Sequence, residues 1–320
     1  MITNQWYAIL PSRKVKIGQI VAVKRLNLEL ALFRNSKGEL SCVVDQCSHR
    51  GAALSLGKVK NDCIQCPFHG MEFDKDGKCT FIPANGTAST EDLSQFNVKH
   101  YTVRERNGIV YLWYGDEDKI TEELPFFYDQ LDSFYACSEI EDHWNTNYSR
   151  CIESQLDVMH LPFVHQSTIG KGNKTLVNGP KVVWQNGILK TSSNNEPDYG
   201  QKPRTPDECV IKETHLRFLF PNLWMGYISE KLKVIIYFAP VDDENTILYI
   251  RLCNKLTRFK NLNSFIAYIG KFINRRIASQ IRRVVSTQKP VATELNTSEN
   301  LIQGDAPIIM YRKIREDLKA

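Results

Sequence analysis

The sequence predicts an α+β chain, with an all-β N-terminal domain followed by an antiparallel sheet that carries helices on one face. Three observations support this. Short apolar alternations broken by turn residues fill the first 115 positions. Apolar segments of strand length return between residues 180 and 253, and a helical period replaces them between residues 260 and 288. With 320 residues, 42% hydrophobic and 24% charged, the chain is long enough to bury a substantial core.

The N-terminal strands are expected in "QWYAIL", "IVAVKRL", "LELALFR", "LSCVVD", "MEFDKDGKCTFI" and "YTVRERNGIVYLWYG", with "NSKGE" and "DKDGK" as hairpin turns. "DEDKITEELPFFYDQLDSF" is acidic and holds Pro125, which suits an exposed connection and puts the domain boundary near residue 120. The domains are then 1–120 and 121–320. After the mixed helical stretch "HWNTNYSRCIESQLDVMH", strands are expected in "PKVVWQNGILKTS", "ETHLRFLFPNLWMGYIS", "LKVIIYFAPVD" and "TILYIRLC". Leu262, Phe265, Ile266, Ile269, Phe272, Ile273, Ile277, Ile281, Val284 and Val285 then recur at helical spacing, as one apolar stripe facing the sheet.

No apolar run reaches signal-peptide length at the N-terminus, and "VIIYFAPV" is far short of the ~20 residues that a membrane span needs. A soluble, cytoplasmic protein with no membrane partner is expected. The nine cysteines show no framework spacing, so reduced thiols are expected. Net charge is only +5, yet no Asp or Glu occurs between Glu244 and Glu294 while Lys and Arg recur from Arg251 to Lys289. A positive face follows, which is either a solvated helix surface or a docking surface. No base-stacking aromatic pattern accompanies it, which argues against nucleic acid.

Cys47-x-His49 and, sixteen residues on, Cys66-x-x-His69 form two mixed Cys/His pairs. Thiolate and imidazole both suit tetrahedral zinc, but zinc sites usually pair like with like. Mixed pairs fit a [2Fe–2S] centre better, with two Cys on one iron and two His on the other. Gly51, Gly57 and Gly70 let loop backbone approach such a cluster, and Pro67 stiffens the second loop. The pattern C-x-H-R-G-A-x-L followed by C-x-x-H-G-x-x-F resembles a Rieske domain. The resemblance assigns Cys66 and leaves Cys63 out. It also implies a lower-potential cluster, because the first loop, "CSHRGAA", lacks the extra cysteine of high-potential Rieske proteins, and Arg50 favours the oxygenase form.

"DVMHLPFVH" holds a second candidate site. His160 and His165 would point about 140° apart on an ideal helix, and Pro162 between them bends the chain so that both rings can meet one ion. Two satisfied core histidines are the plain alternative. "ESQLDVMHLPFVH" resembles the iron-binding stretch of Rieske non-haem iron oxygenase α subunits, which implies His160 and His165 as iron ligands and Asp157 as a bridge to the Rieske histidine, His69, of a neighbouring subunit. His100, His143 and His215 are expected to be structural. The resemblance spans nearly the whole chain and implies a helix-grip catalytic domain, most like the vanillate and dicamba O-demethylase group. There the third iron ligand is an aspartate on the late helix, in a context resembling Q-D-R-x-V-x-x-x-Q. Here "SQIRRVVSTQ" places Ile281 at that position. Gln280, a tail carboxylate (Glu294, Glu299 or Asp305) or an exogenous ligand would have to replace it.

The expected function is a terminal oxygenase that hydroxylates or oxidatively demethylates a small organic substrate with O2. The resemblance implies a [2Fe–2S] cluster, a mononuclear Fe(II) and a homotrimer. No Gly-rich dinucleotide motif is present, so a separate ferredoxin or reductase would supply electrons from NAD(P)H, docking as an acidic carrier on the basic face. The alternative is a Rieske electron-transfer or binding protein whose iron site has degenerated.

Overall fold

Asx turns organise the N-terminal half. In the computed structural model, which describes every residue except 129–130, 132–134, 173 and 320, the chain forms two units. One is Asn4–Leu124, and the other is Met1–Thr3 with Pro125–Ala320. The N-terminal unit contains β1 (Gln5–Pro11), β2 (Ile20–Arg25), β3 (Leu28–Arg34), β4 (Leu40–Val44), β5 (Lys58–Lys60), β6 (Cys63–Gln65), β7 (Glu72–Phe73), β8 (Cys79–Phe81), β9 (Val103–Arg106) and β10 (Ile109–Tyr114). They form three antiparallel sheets, β1-β10-β9, β2-β3-β4 and β5-β6-β7-β8. Both predicted turns are present. Asn35 Oδ1 accepts from the backbone of Lys37 and Glu39, and Asp74 Oδ1 from Asp76 and Lys78, so each side chain closes its own hairpin. Leu54, Ile64, Met71 and Phe73 pack beneath as a buried core that includes Cys47 and Cys66.

In the second unit come β11 (Ala136–Trp144), α1 (Tyr148–Leu156), the one-turn α2 (Leu161–Val164), β12 (Leu176–Asn178), β13 (Val182–Gln185), β14 (Ile188–Thr191), β15 (Asn194–Glu196), β16 (His215–Leu219), β17 (Leu223–Ser229), β18 (Leu232–Pro240), β19 (Thr246–Asn254), α3 (Lys260–Val285) and α4 (Ala306–Asp317). Seven strands make one antiparallel sheet in the order β11-β19-β18-β17-β16-β14-β13, and β12 pairs with β15. The α+β class and the long helix over the sheet agree with the sequence reading. Residues 129–130 and 132–134 of the expected connection lie outside the described residues.

Two expectations need correction. Cys137 and Cys253 stand opposite each other in the β11–β19 register and are joined by a disulfide, so the nine cysteines are not all reduced thiols; the other seven are free. Their sequence separation of 116 hides a pairing that only the sheet register creates. The apolar stripe on α3 is also not one core face. Ile281 and Val285 are buried, but in the first half Asn263, Ala267 and Gly270 face inward while Leu262, Phe265, Ile269, Phe272 and Ile273 are exposed. Close approach to the sheet explains the small residues. A Cβ on Gly270 would lie 2.1 Å from Leu252 Cδ2, and Ser138 Oγ on β11 donates to the Ala267 carbonyl at 2.5 Å.

A buried charge network ties α1 to α4 and to the segment before it. Glu153 accepts from Arg312 through Nε at 2.7 Å and Nη2 at 3.0 Å, Glu299 meets Arg150 at 2.6 Å and Arg312 at 2.7 Å, and Arg150 also donates to the Pro290 carbonyl. Two guanidinium and two carboxylate groups balance one another, with Arg150, Glu153 and Arg312 each under 4% exposed. Arg312→Met should leave Glu153 charged, buried and short of a partner, lowering stability by about 3–5 kcal/mol. Urea denaturation of the variant against wild type checks this; a loss below about 1 kcal/mol would contradict it.

Candidate metal centres

Cys47 and Cys66 each open a loop of the same design. The Cys47 N–H bonds to the Ala52 carbonyl at 2.8 Å, and the Gly51 N–H returns to the Cys47 carbonyl at 2.9 Å; Cys66 repeats this with Met71 at 2.8 Å and Gly70 at 3.1 Å. Both turns need a positive φ, which Gly51 and Gly70 supply at +74° each. The loops bring all four predicted residues together. The two thiols are within hydrogen-bonding reach of each other, and the His49 and His69 rings are 4.7 Å apart between centroids. Burial pushes the Cys47 thiol up, while backbone N–H groups of His49 and Arg50 aimed at its sulfur oppose that shift. Cysteines sit inside and histidines outside, and the Arg50 guanidinium lies 5.6 Å from the Phe68 ring centre, linking the loops. This donor set and its N–H groups aimed at sulfur fit a [2Fe–2S] cluster. Cys63 instead lies against Thr80 Oγ1 at 3.7 Å.

In the second unit α1 ends at Leu156, and Asp157 caps it in an extended conformation. Asp157 Oδ1 accepts the N–H groups of Met159 at 2.6 Å and His160 at 3.3 Å. Pro162 does not break a helix between the histidines, as the sequence suggested. It occupies the first turn of α2, where its missing N–H costs nothing, and His160 and His165 flank that single turn. Their ring centroids are 5.2 Å apart.

Each ring has its Nδ1 turned to a different oxygen. His160 Nδ1 is buried and lies 3.5 Å from Asp157 Oδ2, too long for a good hydrogen bond, and no other acceptor reaches it. Burial raises the Asp157 carboxyl, but the His160 ring and the two N–H bonds outweigh it, leaving the group below its ordinary pKa. His165 Nδ1 is 2.9 Å from Gln280 Oε1. Thr168 Oγ1 donates to that same oxygen at 2.9 Å, and Gln280 Nε2 donates to Ser167 Oγ at 2.9 Å. With the amide in this orientation, His165 Nδ1 is the donor and Nε2 keeps the lone pair. Burial holds the His165 ring below its ordinary pKa, with the Gln280 bond opposing and His160 reinforcing the shift. A neutral imidazole with Nε2 free is the form that binds a metal.

Both histidines line a cavity of about 630 Å³ between α3 and the sheet, walled by Trp224, Ile236, Ile250, Ile273, Ile277 and Ile281. Ile281, at the expected aspartate position, is 4% exposed and faces this space. The tail carboxylates are engaged elsewhere. Glu299 is in the buried ion network, Glu294 pairs with Lys319 at 2.8 Å, and Asp305 accepts the Ile302 N–H at 2.9 Å. Among the described residues no three His, Cys, Asp or Glu side chains gather round one ion. His215 stands in the cavity wall, stacked on Tyr227 at 4.7 Å, while His100 and His143 sit beside Glu117 and Glu141. Thr168 and Ser167 were missed in the sequence; the polar run "HQST" after "FV" is the signal they left.

Residues 5–102 match the Rieske [2Fe-2S] domain, and residues 144–320 match the vanillate O-demethylase oxygenase C-terminal domain. The chain belongs to the Rieske oxygenase family. It is 34% identical to chlorophyllide a oxygenase of Chlamydomonas reinhardtii over 53% of this chain and 26% of that one. It is 32% identical to the oxygenase component of chloroacetanilide N-alkylformylase of Rhizorhabdus wittichii (58% of this chain, 52% of that one). To the oxygenase component of dicamba O-demethylase of Stenotrophomonas maltophilia it is again 32% identical (52% and 48%). The chain spans about half or less of the length of these relatives. In fold it is similar to NdmA of Pseudomonas putida CBB5, with a TM-score of 0.80 at 21% identity over 99% of this chain and 90% of that one. Rieske oxygenases carry a [2Fe–2S] cluster and a mononuclear iron.

The Gln280 oxygen is already shared by His165 and Thr168, which makes Gln280 a positioning residue. Gln280→Leu should weaken Fe(II) or Co(II) binding at the histidine pair by roughly 10–100-fold, while Gln280→Glu, which keeps an acceptor, should not. A metal titration of the three proteins decides it, and equal affinities would remove the positioning role.

Proposed function

We propose that this chain is the terminal oxygenase component of a Rieske system, inserting oxygen into a small aromatic or alicyclic substrate by hydroxylation or oxidative demethylation. The observation that carries the reading is the histidine pair beside an apolar cavity, with Nδ1 of each ring turned to its own oxygen and Nε2 left for a metal. It stands in the same chain as the paired Cys/His loops. Two relatives are named as oxygenase components, which supports a separate ferredoxin or reductase as electron donor.

Cys47 and Cys66 would hold one iron of the cluster as thiolates, and His49 and His69 the outer one, where solvent reaches the rings. His160 and His165 would hold the mononuclear iron. When bound, the cluster supplies electrons one at a time and the mononuclear iron activates O2. Asp157 keeps a negative charge beside His160 Nδ1, and Gln280 keeps the proton on His165 Nδ1. Trp224, Ile236, Ile250 and Ile277 exclude water and hold an apolar substrate by shape. A homotrimer, in which Asp157 links to His69 of a neighbouring subunit, completes the reading; the exposure of His69 and of Phe68 beside it supports such a contact. Ile281 contributes no ligand, so a water, an anion or a substrate group would take the third protein position.

Iron analysis of the reconstituted protein should find about three irons per chain, with a Rieske-type spectrum lost in Cys47→Ser. Full zinc occupancy and no visible colour would defeat the proposal. Ile281→Asp places a carboxylate on the cavity wall beside the histidines. It should tighten Fe(II) binding by about tenfold or more, because a charge in that apolar wall is tolerable only when a cation pairs with it. Weaker iron binding in a folded Ile281→Asp protein would show that the third position is not at that wall.

A further inference from the structure

The outer face of α3 is apolar where a solvated helix would be polar. Phe265 and Phe272 fall on the side opposite Asn263, Ala267 and Gly270, which press on the sheet, and the exposed Leu262, Ile269 and Ile273 lie on the flank between the two faces. Phe265 is 59% exposed, Phe272 61% and Tyr268 55%; Leu256 and Phe259, just before the helix, extend the patch. Single exposed apolar side chains need no explanation, but a contiguous aromatic and aliphatic face does.

Charge decides what covers it. Arg258, Lys260, Lys271, Arg275 and Arg276 border the patch, and none of them has an ion pair among the described residues. Lys271 and Arg258 lie over the rings of Tyr268 and Phe259 at 5.3 and 4.9 Å. No acidic residue occurs between Glu244 and Glu294 to temper them. We propose that this face of α3 lies on an anionic lipid surface, with the aromatic and aliphatic side chains in the acyl boundary and the cations among the headgroups. A two-fold contact with a second copy would set Lys271 and Arg275 against their own equivalents, whereas a head-to-tail contact, as in a trimer, would show as a change of oligomeric state in the variants. An acidic electron carrier would answer the charges but leave the phenylalanines without an apolar partner. No described helix is long and apolar enough to cross a membrane, so the contact is in the plane of the surface.

The cavity adds an independent observation. Leu256, Ile269 and Ile273 line it and are also exposed, so its rim is continuous with the patch. A ligand taking this route is one dissolved in the lipid. That step rests on the proposed function; the surface contact does not.

The test is sedimentation of the full chain with vesicles of phosphatidylcholine alone or mixed with phosphatidylglycerol, at low and high salt. It needs no metal and no turnover, so its failure leaves the oxygenase reading intact. Wild type should bind the mixed vesicles, and less so as salt rises. Phe265→Ser/Phe272→Ser, neither residue lining the cavity, and Lys271→Glu/Arg275→Glu should each lower binding by roughly tenfold or more with the oligomeric state unchanged. Absence of wild-type binding to the mixed vesicles overturns the proposal. So does a Phe variant that binds like wild type, or a change of oligomeric state in either variant, which would assign the face to a second copy.

Discussion

The histidine site depends on α1 being held where it is, and the buried ions of Arg150, Glu153, Glu299 and Arg312 hold it. Charges inside a protein are costly unless fully paired, and here each carboxylate meets both guanidinium groups. The bidentate bond of Arg312 to Glu153 has one geometry, so α1 and α4 are registered rather than merely stuck together. Glu153 lies one turn before Asp157, and the Asp157 N–H closes on the Glu153 carbonyl at 2.9 Å. The network therefore fixes the point from which the chain turns into His160. Apolar packing of the same volume could stabilise as much, but it would not select a register.

From the other side, α3 determines the cavity by being two helices in one. In its first half the buried residues are Asn263, Ala267 and Gly270, and it lies close to β19 at Leu252; its second half buries Ile281 and Val285. Gln280, the neighbour of Ile281, points at His165 because that second half is packed in place. The same close approach that shapes the cavity forces the large side chains of the first half outward.

What the sequence revealed was local. The Cys/His loops, the Asx hairpins and the strands from Val182 to Asn254 each declare themselves within a dozen residues, and the structure has them where their patterns lie. What it hid was long-range. β11 reads as charged and irregular, and becomes a strand because β19 offers it a full register; its Cys137 then meets Cys253. The stripe on α3 was misread because periodicity reports a helix but not which of two apolar faces the sheet will accept. α4 was unforeseen because its inward Arg312 and Arg315 break the apolar pattern, and their partners lie elsewhere in the chain.

The two histidines are supported unequally, and this bears on the missing carboxylate. Asp157 gives His160 a charged neighbour, which raises the donor strength of its free nitrogen; Gln280 gives His165 a neutral one, which orients without adding charge. An aspartate at position 281 would have added a second negative group directly at the metal. With Ile281 there, Asp157 is the sole acid among the described residues lining the cavity, and it is turned to a ring instead of to the open space. A dication held by two neutral imidazoles then has less than its charge compensated by the protein. Coulomb attraction in a low-dielectric cavity with apolar walls is strong, so the third position favours an anionic or strongly polar oxygen over a neutral apolar group. On the proposed function, the walls would hold an apolar body and the metal position an oxygen, and a molecule that carries an oxygen at the end facing His160 and His165 would satisfy the site without any carboxylate from the chain.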